Sequence, residues 1–359
     1  MKIGVVRRGY TGAGGAEAYL LRFAQGLTAT GHEAMLFTER WPQDAWPYAR
    51  VIIRSNSPRT FADAFQKCAQ TGDCDLIYSL ERVWSCDAYR AGDGVHAAWL
   101  AQRARFEPVW KSWLRRWNPK HLEMLALERH LFSAQGAKVI IANSQMVKDE
   151  IARYFQYPGE KIRVVHNGAP PFTQPPGARA DVRQQIGLEE SDYVLLFAGS
   201  GWERKGLRFA IEAVNAAKSP RLKLLVAGRG NPRGQPESSS VCYLGAVTDM
   251  PRYLAAADAF ILPTIYEPFS NACLEALAAG LPVITTIHNG FAEIIESGVE
   301  GEAVQEANDI DALATAIQRW EDPERRGLIR PRLQEIASRF SIEENVKQTL
   351  SIIAATYAP

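Results

Sequence analysis

Two carboxylates and two cations carry most of the chemistry written in this sequence. Glu267 and Glu275 stand eight positions apart in Glu-Pro-Phe-Ser-Asn-Ala-Cys-Leu-Glu, and Arg204 and Lys205 are adjacent in Gly-Trp-Glu-Arg-Lys-Gly. Ser270 and Asn271 are residue types that cap helix N-termini, and Ala272, Cys273 and Leu274 can open a helix. A helix is therefore expected from Asn271 or just before it. Gly280 and Pro282 end it ahead of the strand-like Val283-Ile284-Thr285-Thr286. Glu267 then falls on the loop before the helix and Glu275 about one turn inside. A helix N-terminus offers unpaired amides and partial positive charge, a natural seat for phosphate. One carboxylate could grip hydroxyls on one side of a diphosphate and the other those on the opposite side, as a sugar and a ribose would require. The competing reading makes Glu275 an ordinary first-turn glutamate and Glu267 a solvated loop residue. A glycosidase pair fits less well, because such carboxyl groups lie roughly 5 to 9.5 Å apart, whereas eight helical residues span about 12 Å. Arginine binds phosphate bidentately and lysine adds a compact charge, so Arg204 and Lys205 suit a diphosphate leaving group. Alone, they would read as a basic pair on a solvated loop.

The surrounding composition limits what these groups can serve. A chain of 359 residues suggests two domains of ordinary size. With 41 Lys and Arg against 40 Asp and Glu, no global charge argues for nucleic acid. The start, Met-Lys-Ile-Gly-Val-Val-Arg-Arg, turns polar too soon for a signal peptide, and no apolar run approaches the roughly 18 residues of a spanning helix. A cytoplasmic location is expected. The 5 cysteines (68, 74, 86, 242 and 273) form no Cys-x2-Cys pair, which suits reduced thiols better than disulfides or zinc.

The elements that must position the charged groups alternate between strand and helix. Lys2 to Val6 reads as a buried strand, Arg8 to Gly15 as a glycine-rich loop, Ala16 to Thr30 as a helix and Glu33 to Thr38 as a second strand. This opening raises a dinucleotide-binding hypothesis, with Gly12-x-Gly14 in the loop and Glu39 where a ribose-binding acid is expected about 20 residues on. Glu17 replaces the third glycine and sets a negative charge where pyrophosphate should sit, which speaks against NAD or FAD. Alternation continues to Lys161 to Val165, after which residues 170 to 177 have linker composition. A second series starts at Tyr193 to Ala198, runs through an apparent helix to Ala217, and continues past Leu222 to Ala227. The chain's end, Ile342 to Tyr357, is helical in pattern. Two α/β halves imply two doubly wound domains, with ligand at the carboxyl ends of the strands.

These stretches together resemble glycosyltransferase family 4. Glu267-x7-Glu275 is preceded by Ala259-Phe260-Ile261-Leu262-Pro263 and followed by Ala-Leu-Ala-Ala-Gly-Leu-Pro-Val-Ile. Gly-Trp-Glu-Arg-Lys-Gly matches the family's Arg-Lys-Gly, Gly14-Gly15-Ala16-Glu17 its Gly-Gly-x-Glu signature, and His166-Asn167-Gly168 its interdomain hinge. The match is strong in residues 190 to 300 and loose in residues 40 to 135. It implies the GT-B fold, two doubly wound Rossmann-like domains facing a central cleft. Residues 1–167 would form an acceptor-side domain, 168–338 a nucleotide-sugar-binding domain, and 339–359 a helix returning to the first.

The resemblance also implies roles. A hexose, glucose on a UDP carrier, would pass with retention of configuration to a sugar hydroxyl of a lipid-linked glycan such as lipopolysaccharide core. Arg204, Lys205 and helix amides would stabilise the departing diphosphate, Glu267 would hold the donor sugar and Glu275 the ribose. Gly14, Gly15, Glu17, Gly228, Phe269, Ser270 and Asn271 would complete the donor site. Asp93, in Ala91-Gly92-Asp93-Gly94-Val95-His96, falls where the related core glucosyltransferases carry an aspartate, and His96 competes with it because many family members place a histidine in this region. No catalytic metal or cofactor is expected, and Asp73-Cys74-Asp75 reads as a loop entering a strand. The alternatives are a nucleotide-sugar 2-epimerase, which needs no acceptor, and an inactive membrane-associated scaffold.

One charge concentration remains. Between Trp99 and His121 lie Arg103, Arg105, Lys111, Arg115, Arg116 and Lys120 against the single acid Glu107. Between Pro108 and Pro119 a helix would align Trp110, Trp113, Leu114 and Trp117 on one face. Tryptophan beside arginine suits an anionic membrane surface, here the inner face of the cytoplasmic membrane. The alternative packs the tryptophans into the first domain.

Overall fold

Short apolar runs bounded by caps and turns alternate with amphipathic runs along the chain, and they sort into two parallel sheets. The computed structural model describes residues 1–10, 15–42, 44–115 and 117–357, the side chains of residues 15–18 and 357 excepted. Two compact units result, Met1–Asn167 with Ile342–Pro359, and Gly168–Ser341.

The first unit holds strands β1 (Lys2–Val6), β2 (Glu33–Thr38), β3 (Ala49–Ile52), β4 (Leu76–Ser79), β5 (Cys86–Ala91), β6 (Ala137–Ala142) and β7 (Ile162–Val164). Its helices are α1 (Gly15–Ala29), α2 (Pro58–Ala69), α3 (His96–Ala104), α4 (Val109–Arg115), α5 (Pro119–Leu131) and α6 (Gln145–Phe155). The second unit holds α7 (Ala178–Gln185), β8 (Tyr193–Ala198), α8 (Trp202–Lys205), α9 (Leu207–Ala217), β9 (Leu222–Ala227) and β10 (Val241–Gly245). It continues with α10 (Met250–Ala256), β11 (Ala259–Leu262), α11 (Asn271–Ala278), β12 (Val283–Thr286), β13 (Gly301–Val304), α12 (Ile310–Arg319) and α13 (Pro323–Ser338). The last helix, α14 (Ile342–Tyr357), belongs to the first unit.

The first sheet runs β3-β2-β1-β4-β5-β6-β7 and the second β10-β9-β8-β11-β12-β13, every neighbour pair parallel. Each order reverses direction once, between β1 and β4 and between β8 and β11, and such switch points leave a crevice at the carboxyl ends of the strands. Burial on both faces explains why the strands read as continuous apolar runs: all of Tyr193–Ala198 is buried. Side-chain caps set helix starts, as with Ser57 and Thr60 in the capping box of α2 and Ser144 on α6. In the first unit Ile342, Val346 and Ile353 of α14 join Leu20, Phe23 and Leu27 of α1 in one core.

Two elements differ from the sequence expectation. The apolar stretch after Pro108 forms only the seven residues of α4, and Trp117 lies beyond it. Asn118 caps a new helix by accepting from the Lys120 amide, with Pro119 at its first position, so a helical face from Trp110 to Trp117 does not form. The run into Ala217 is likewise broken at Gly206, whose φ of 75° separates α8 from α9.

In the second unit one buried carboxylate ties three elements together. Asp258, just before β11, accepts from Arg183 Nη2 at 2.7 Å, the Val194 amide at 2.8 Å and Arg179 Nη2 at 3.0 Å. Arg183 is buried and also donates to four backbone carbonyls. Removing one member of a buried pair strands the other charge. Asp258→Ala should therefore lower unfolding free energy by about 3–5 kcal/mol in urea titrations. Glu190→Ala, which removes only Arg179's exposed partner, should cost under about 1 kcal/mol.

Candidate active site

The adjacent cations sit on a turn that is stitched to the loop after β11. Gly206 ends α8 in the left-handed region, and a Cβ there would stand 1.9 Å from the Pro263 carbonyl oxygen, so only glycine permits this approach. The Thr264 hydroxyl and the Ile265 amide both donate to the Arg204 carbonyl, at 2.8 and 2.9 Å. Arg204 Nη1 in turn donates to the Tyr266 carbonyl at 3.0 Å. Lys205 lies across Gly199, where a Cβ would meet its Cδ and Cε at 2.7 Å.

Glu267 follows this loop and is held by its backbone. Its amide donates to the His288 carbonyl and its own carbonyl accepts from the Gly290 amide, both at 2.9 Å. Buried Asn289 organises the next turn: its carboxamide oxygen accepts from the Ser270 and Phe291 amides at 3.2 Å, and its NH2 donates to Thr285 Oγ1 at 3.0 Å. Ser270 caps α11 by accepting from the Cys273 amide, and Asn271 is the first helical residue. Residues 290–294 form a 3-10 turn capped by Asn289.

These supports converge on one carboxylate oxygen. Glu267 Oε2 lies 2.9 Å from both Arg204 Nη1 and Lys205 Nζ, and its side chain is only 12% exposed. The solvated-loop alternative for Glu267 is thereby replaced by a buried, doubly paired carboxylate. Burial pushes its carboxyl up, but Lys205 first and then Arg204 outweigh burial and hold it below the ordinary 4.5. Burial pushes the neighbouring Cys273 thiol up to about 12, so it stays protonated.

The other predicted residues distribute as follows. Glu275 is the fifth residue of α11 and is half-buried, its carbonyl accepting from the Ala279 amide. The Phe269 ring is buried edge-on to Phe291 at 6.2 Å. Gly228 follows β9 and donates to the Gly245 carbonyl at 2.7 Å. Gly14 lies outside the described residues, as does the side chain of Glu17; Gly15 and Glu17 fall in the first turn of α1.

Asp93 belongs to the first unit, where its half-exposed carboxylate is 3.4 Å from Arg7 Nη1. Its loop is fixed by a buried ion pair, since Arg82 donates to the Gly94 carbonyl (2.8 Å) and to Glu128 Oε1 (2.9 Å). Glu128 also accepts from the His96 and Ala97 amides, capping α3 from another helix. His96 Nε2 is 3.0 Å from His121 Nδ1. Burial, then Arg82, His121 and Lys120, push the His96 imidazole down to about 4, so it is neutral at pH 7. Among the described residues no three His, Cys, Asp or Glu side chains gather to hold a metal ion.

Sequence reasoning missed Asn289, Thr264 and the Arg82–Glu128 pair. The Asn289-Gly290 dipeptide was a turn signal that could have found the first. Nothing local announces Glu128, whose partner lies 46 positions away.

Comparison with known proteins places this geometry in a family. The family models "Glycosyl transferases group 1" and "Glycosyltransferase Family 4" match residues 192–322 and 13–171. A probable transglycosylase of Burkholderia thailandensis is 31% identical over 82% of this chain and 80% of its own. The chain belongs to glycosyltransferase family 4. The lipopolysaccharide glucosyltransferase WaaG of Escherichia coli is 26% identical over 82% of each chain. A crystal structure of WaaG superposes with a TM-score of 0.81 at 23% identity, covering 98% of this chain and 99% of that one. Anabaena HepE in complex with UDP and glucose gives 0.73 at 20% identity, over 99% and 100% of the two chains. The glycosyltransferase thus has the GT-B fold.

In this glycosyltransferase the Glu267 pairs make a pH signature. A carboxylate whose folded pKa is depressed contributes stability above its unfolded pKa and loses it as pH falls through the folded value. Glu267→Gln should lower unfolding free energy at pH 7 by about 1.5–3 kcal/mol. The gap between wild type and variant should narrow below pH 4.5, the ordinary value. Denaturant titrations across pH 3 to 7 read this directly, and a constant gap would contradict it.

Proposed function

We propose that the enzyme transfers glucose from UDP-glucose, with retention of anomeric configuration, to a sugar hydroxyl of a lipid-linked glycan such as lipopolysaccharide core. The observation that carries this reading is the convergence of Arg204 and Lys205 on Glu267 beside the capped N-terminus of α11. Two cations and helix amides are what a departing diphosphate needs, because its negative charge grows as the glycosidic bond breaks. Glu267 pairs with both cations. As the diphosphate takes over part of their hydrogen bonding, the carboxylate becomes available to accept from donor-sugar hydroxyls. Glu275, one turn into α11, is assigned to the ribose. Gly14, Gly15, Glu17, Gly228, Phe269, Ser270 and Asn271 are assigned to donor binding.

The attacking hydroxyl is deprotonated by the departing phosphate oxygen on the same face of the sugar, a route that asks no nucleophile of the protein. Asp93 is assigned to the donor sugar and acceptor side, with His96 as its rival. The names of the relatives support the finer choices: glucosyl transfer and lipopolysaccharide for WaaG, and UDP with glucose for HepE.

A membrane location at the inner face of the cytoplasmic membrane is part of this reading. Val109, Trp110, Trp113, Leu114, Trp117 and Leu122 are all exposed, and no residue of α4 is buried. The tryptophans at 110, 113 and 117 are therefore not packed into the unit. Arg105, Lys111 and Lys120 lie in the same segment, as do Arg103 and Arg115, both paired with Glu107, while Arg116 lies outside the described residues. Each cation near anionic lipid contributes about 1 kcal/mol, which gives reversible and salt-sensitive attachment. Among the described residues no helix is long and apolar enough to cross a membrane.

A panel of sugar nucleotides scored by release of nucleoside diphosphate, with product anomers read by NMR, tests the chemistry. UDP-glucose should be turned over and yield a product of unchanged anomeric configuration. Arg204→Ala and Lys205→Ala should each lower turnover by about 10² or more, and near-normal rates in both would remove the diphosphate assignment. Sedimentation with anionic liposomes should capture the protein at low salt and release it at high salt. Trp110→Ala combined with Trp117→Ala should weaken capture, and no capture at low salt would leave residues 99–121 as ordinary structure.

A further inference from the structure

Glu39 stands where a dinucleotide-binding protein keeps the acid that reads ribose hydroxyls, yet the donor assignments above leave it unused. The residue follows β2, beside the end of β3 and the segment after β1. Its amide donates to the Arg8 carbonyl at 2.9 Å, as does the Thr38 hydroxyl at 3.1 Å, which fixes the direction of the chain. A cavity of about 420 Å³ opens at this point, lined by Tyr10, Glu39, Arg40, Trp41, Arg50 and Ile52 among others. That volume lies within the roughly 300–1,000 Å³ of small-molecule sites. The position, outside the carboxyl ends of parallel strands, is where doubly wound sheets take their ligands.

The walls are braced and chemically mixed. Buried Trp41 packs edge-on to Tyr10 (4.9 Å) and to Trp46 (6.0 Å), and its indole N–H is committed to the Ala45 carbonyl. Arg50 Nη1 donates to the Trp41 carbonyl at 2.8 Å, which holds the guanidinium against the same wall. Glu39 is 17% exposed, accepts from Ser55 Oγ at 2.9 Å and meets the largely exposed Arg40 at 3.6 Å. An aromatic ring, a carboxylate and a guanidinium thus line one small space. A carboxylate accepts from adjacent hydroxyls, a guanidinium donates to hydroxyl or ring oxygens, and an aromatic face covers the C–H face of a pyranose. The lining carries one carboxylate, Glu39, and two guanidiniums, Arg40 and Arg50, so an apolar ligand would strand three charged groups.

We propose that this cavity is a subsite for one monosaccharide unit of the acceptor glycan, with Glu39 reading a vicinal diol and Tyr10 covering the sugar ring. The proposal rests on the reading of the enzyme as a transferase to a glycan, and it assigns residues to the acceptor that the donor site does not use.

Saturation-transfer NMR on the full chain tests it without any donor. The probes are free glucose, galactose, mannose and heptose at millimolar concentration, and core oligosaccharide released from lipopolysaccharide by mild acid. At least one probe should show transfer to wild type. Glu39→Gln should weaken its binding about tenfold or more, the loss of a charge-assisted hydrogen bond, and Tyr10→Ala should weaken it through loss of the ring's contact with the sugar, whereas Tyr10→Phe should retain it. Circular dichroism and melting confirm that each variant is folded. With an active donor and acceptor, the same variants should raise the acceptor KM and leave the donor KM in place. Absence of transfer with every probe, or binding indifferent to Glu39→Gln and Tyr10→Ala, would overturn the subsite. Failure of the glycosyl-transfer reading shows separately, as no diphosphate release from any sugar nucleotide.

Discussion

The second unit is arranged around the cost of keeping one carboxylate out of water. Glu267 is nearly buried, and burial alone would neutralise it. Two cations on a different loop, at 2.9 Å from the same oxygen, keep it charged. Such a pair is stable only where the partners cannot drift, and each feature around it restrains one partner. The close approach of Gly206 to Pro263 and the Thr264 and Ile265 bonds to the Arg204 carbonyl bring together segments about 60 positions apart, and the backbone ladder from Glu267 to residues 288–290 ties in a third.

The same logic recurs in the first unit with a different cast. Glu128 is fully buried, paired with Arg82, and spends its second oxygen on the Ala97 amide at the start of α3. In both units a buried acid supports the loop that follows a strand, residues 92–95 after β5 and 263–270 after β11. Parallel strands place all such loops on the carboxyl edge of the sheet, so the topology collects polar groups there and the buried ion pairs fix their positions. Asp258 shows the complementary use, binding Arg183 at the other end of β11 where no functional loop is proposed.

Much of this frame was legible in the sequence. The cap Ser270, the strands Lys2–Val6 and Tyr193–Ala198 and the turn at Gly280 announced themselves because each depends on neighbours within a few positions. The adjacency of Arg204 and Lys205 and the spacing of Glu267 and Glu275 were likewise local. Their meeting was not: Glu267 could be read as solvated because its partners lie 62 and 63 positions upstream, arithmetic that no local pattern encodes. Glu128 and Asn289 were invisible for the same reason. The Trp110 to Trp117 face failed through a local competition, since Asn118 and Pro119 start a new helix at the point where the heptad-like pattern asked for continuation.

The double pairing of Glu267 also constrains the energetics of the proposed reaction. On the proposed donor assignment a diphosphate would share Arg204 and Lys205 with the carboxylate that already pairs with them. In the intact donor the phosphate nearest the sugar is esterified and carries less charge, and the carboxylate competes well for both cations. As the bond to the sugar breaks, charge accumulates on that phosphate and the balance moves toward it. The interaction is therefore stronger in the transition state than in the bound donor, which is the condition for lowering a barrier rather than merely tightening binding. In that reaction the buried acid, by competing for the cations, would weaken their hold on the spent diphosphate.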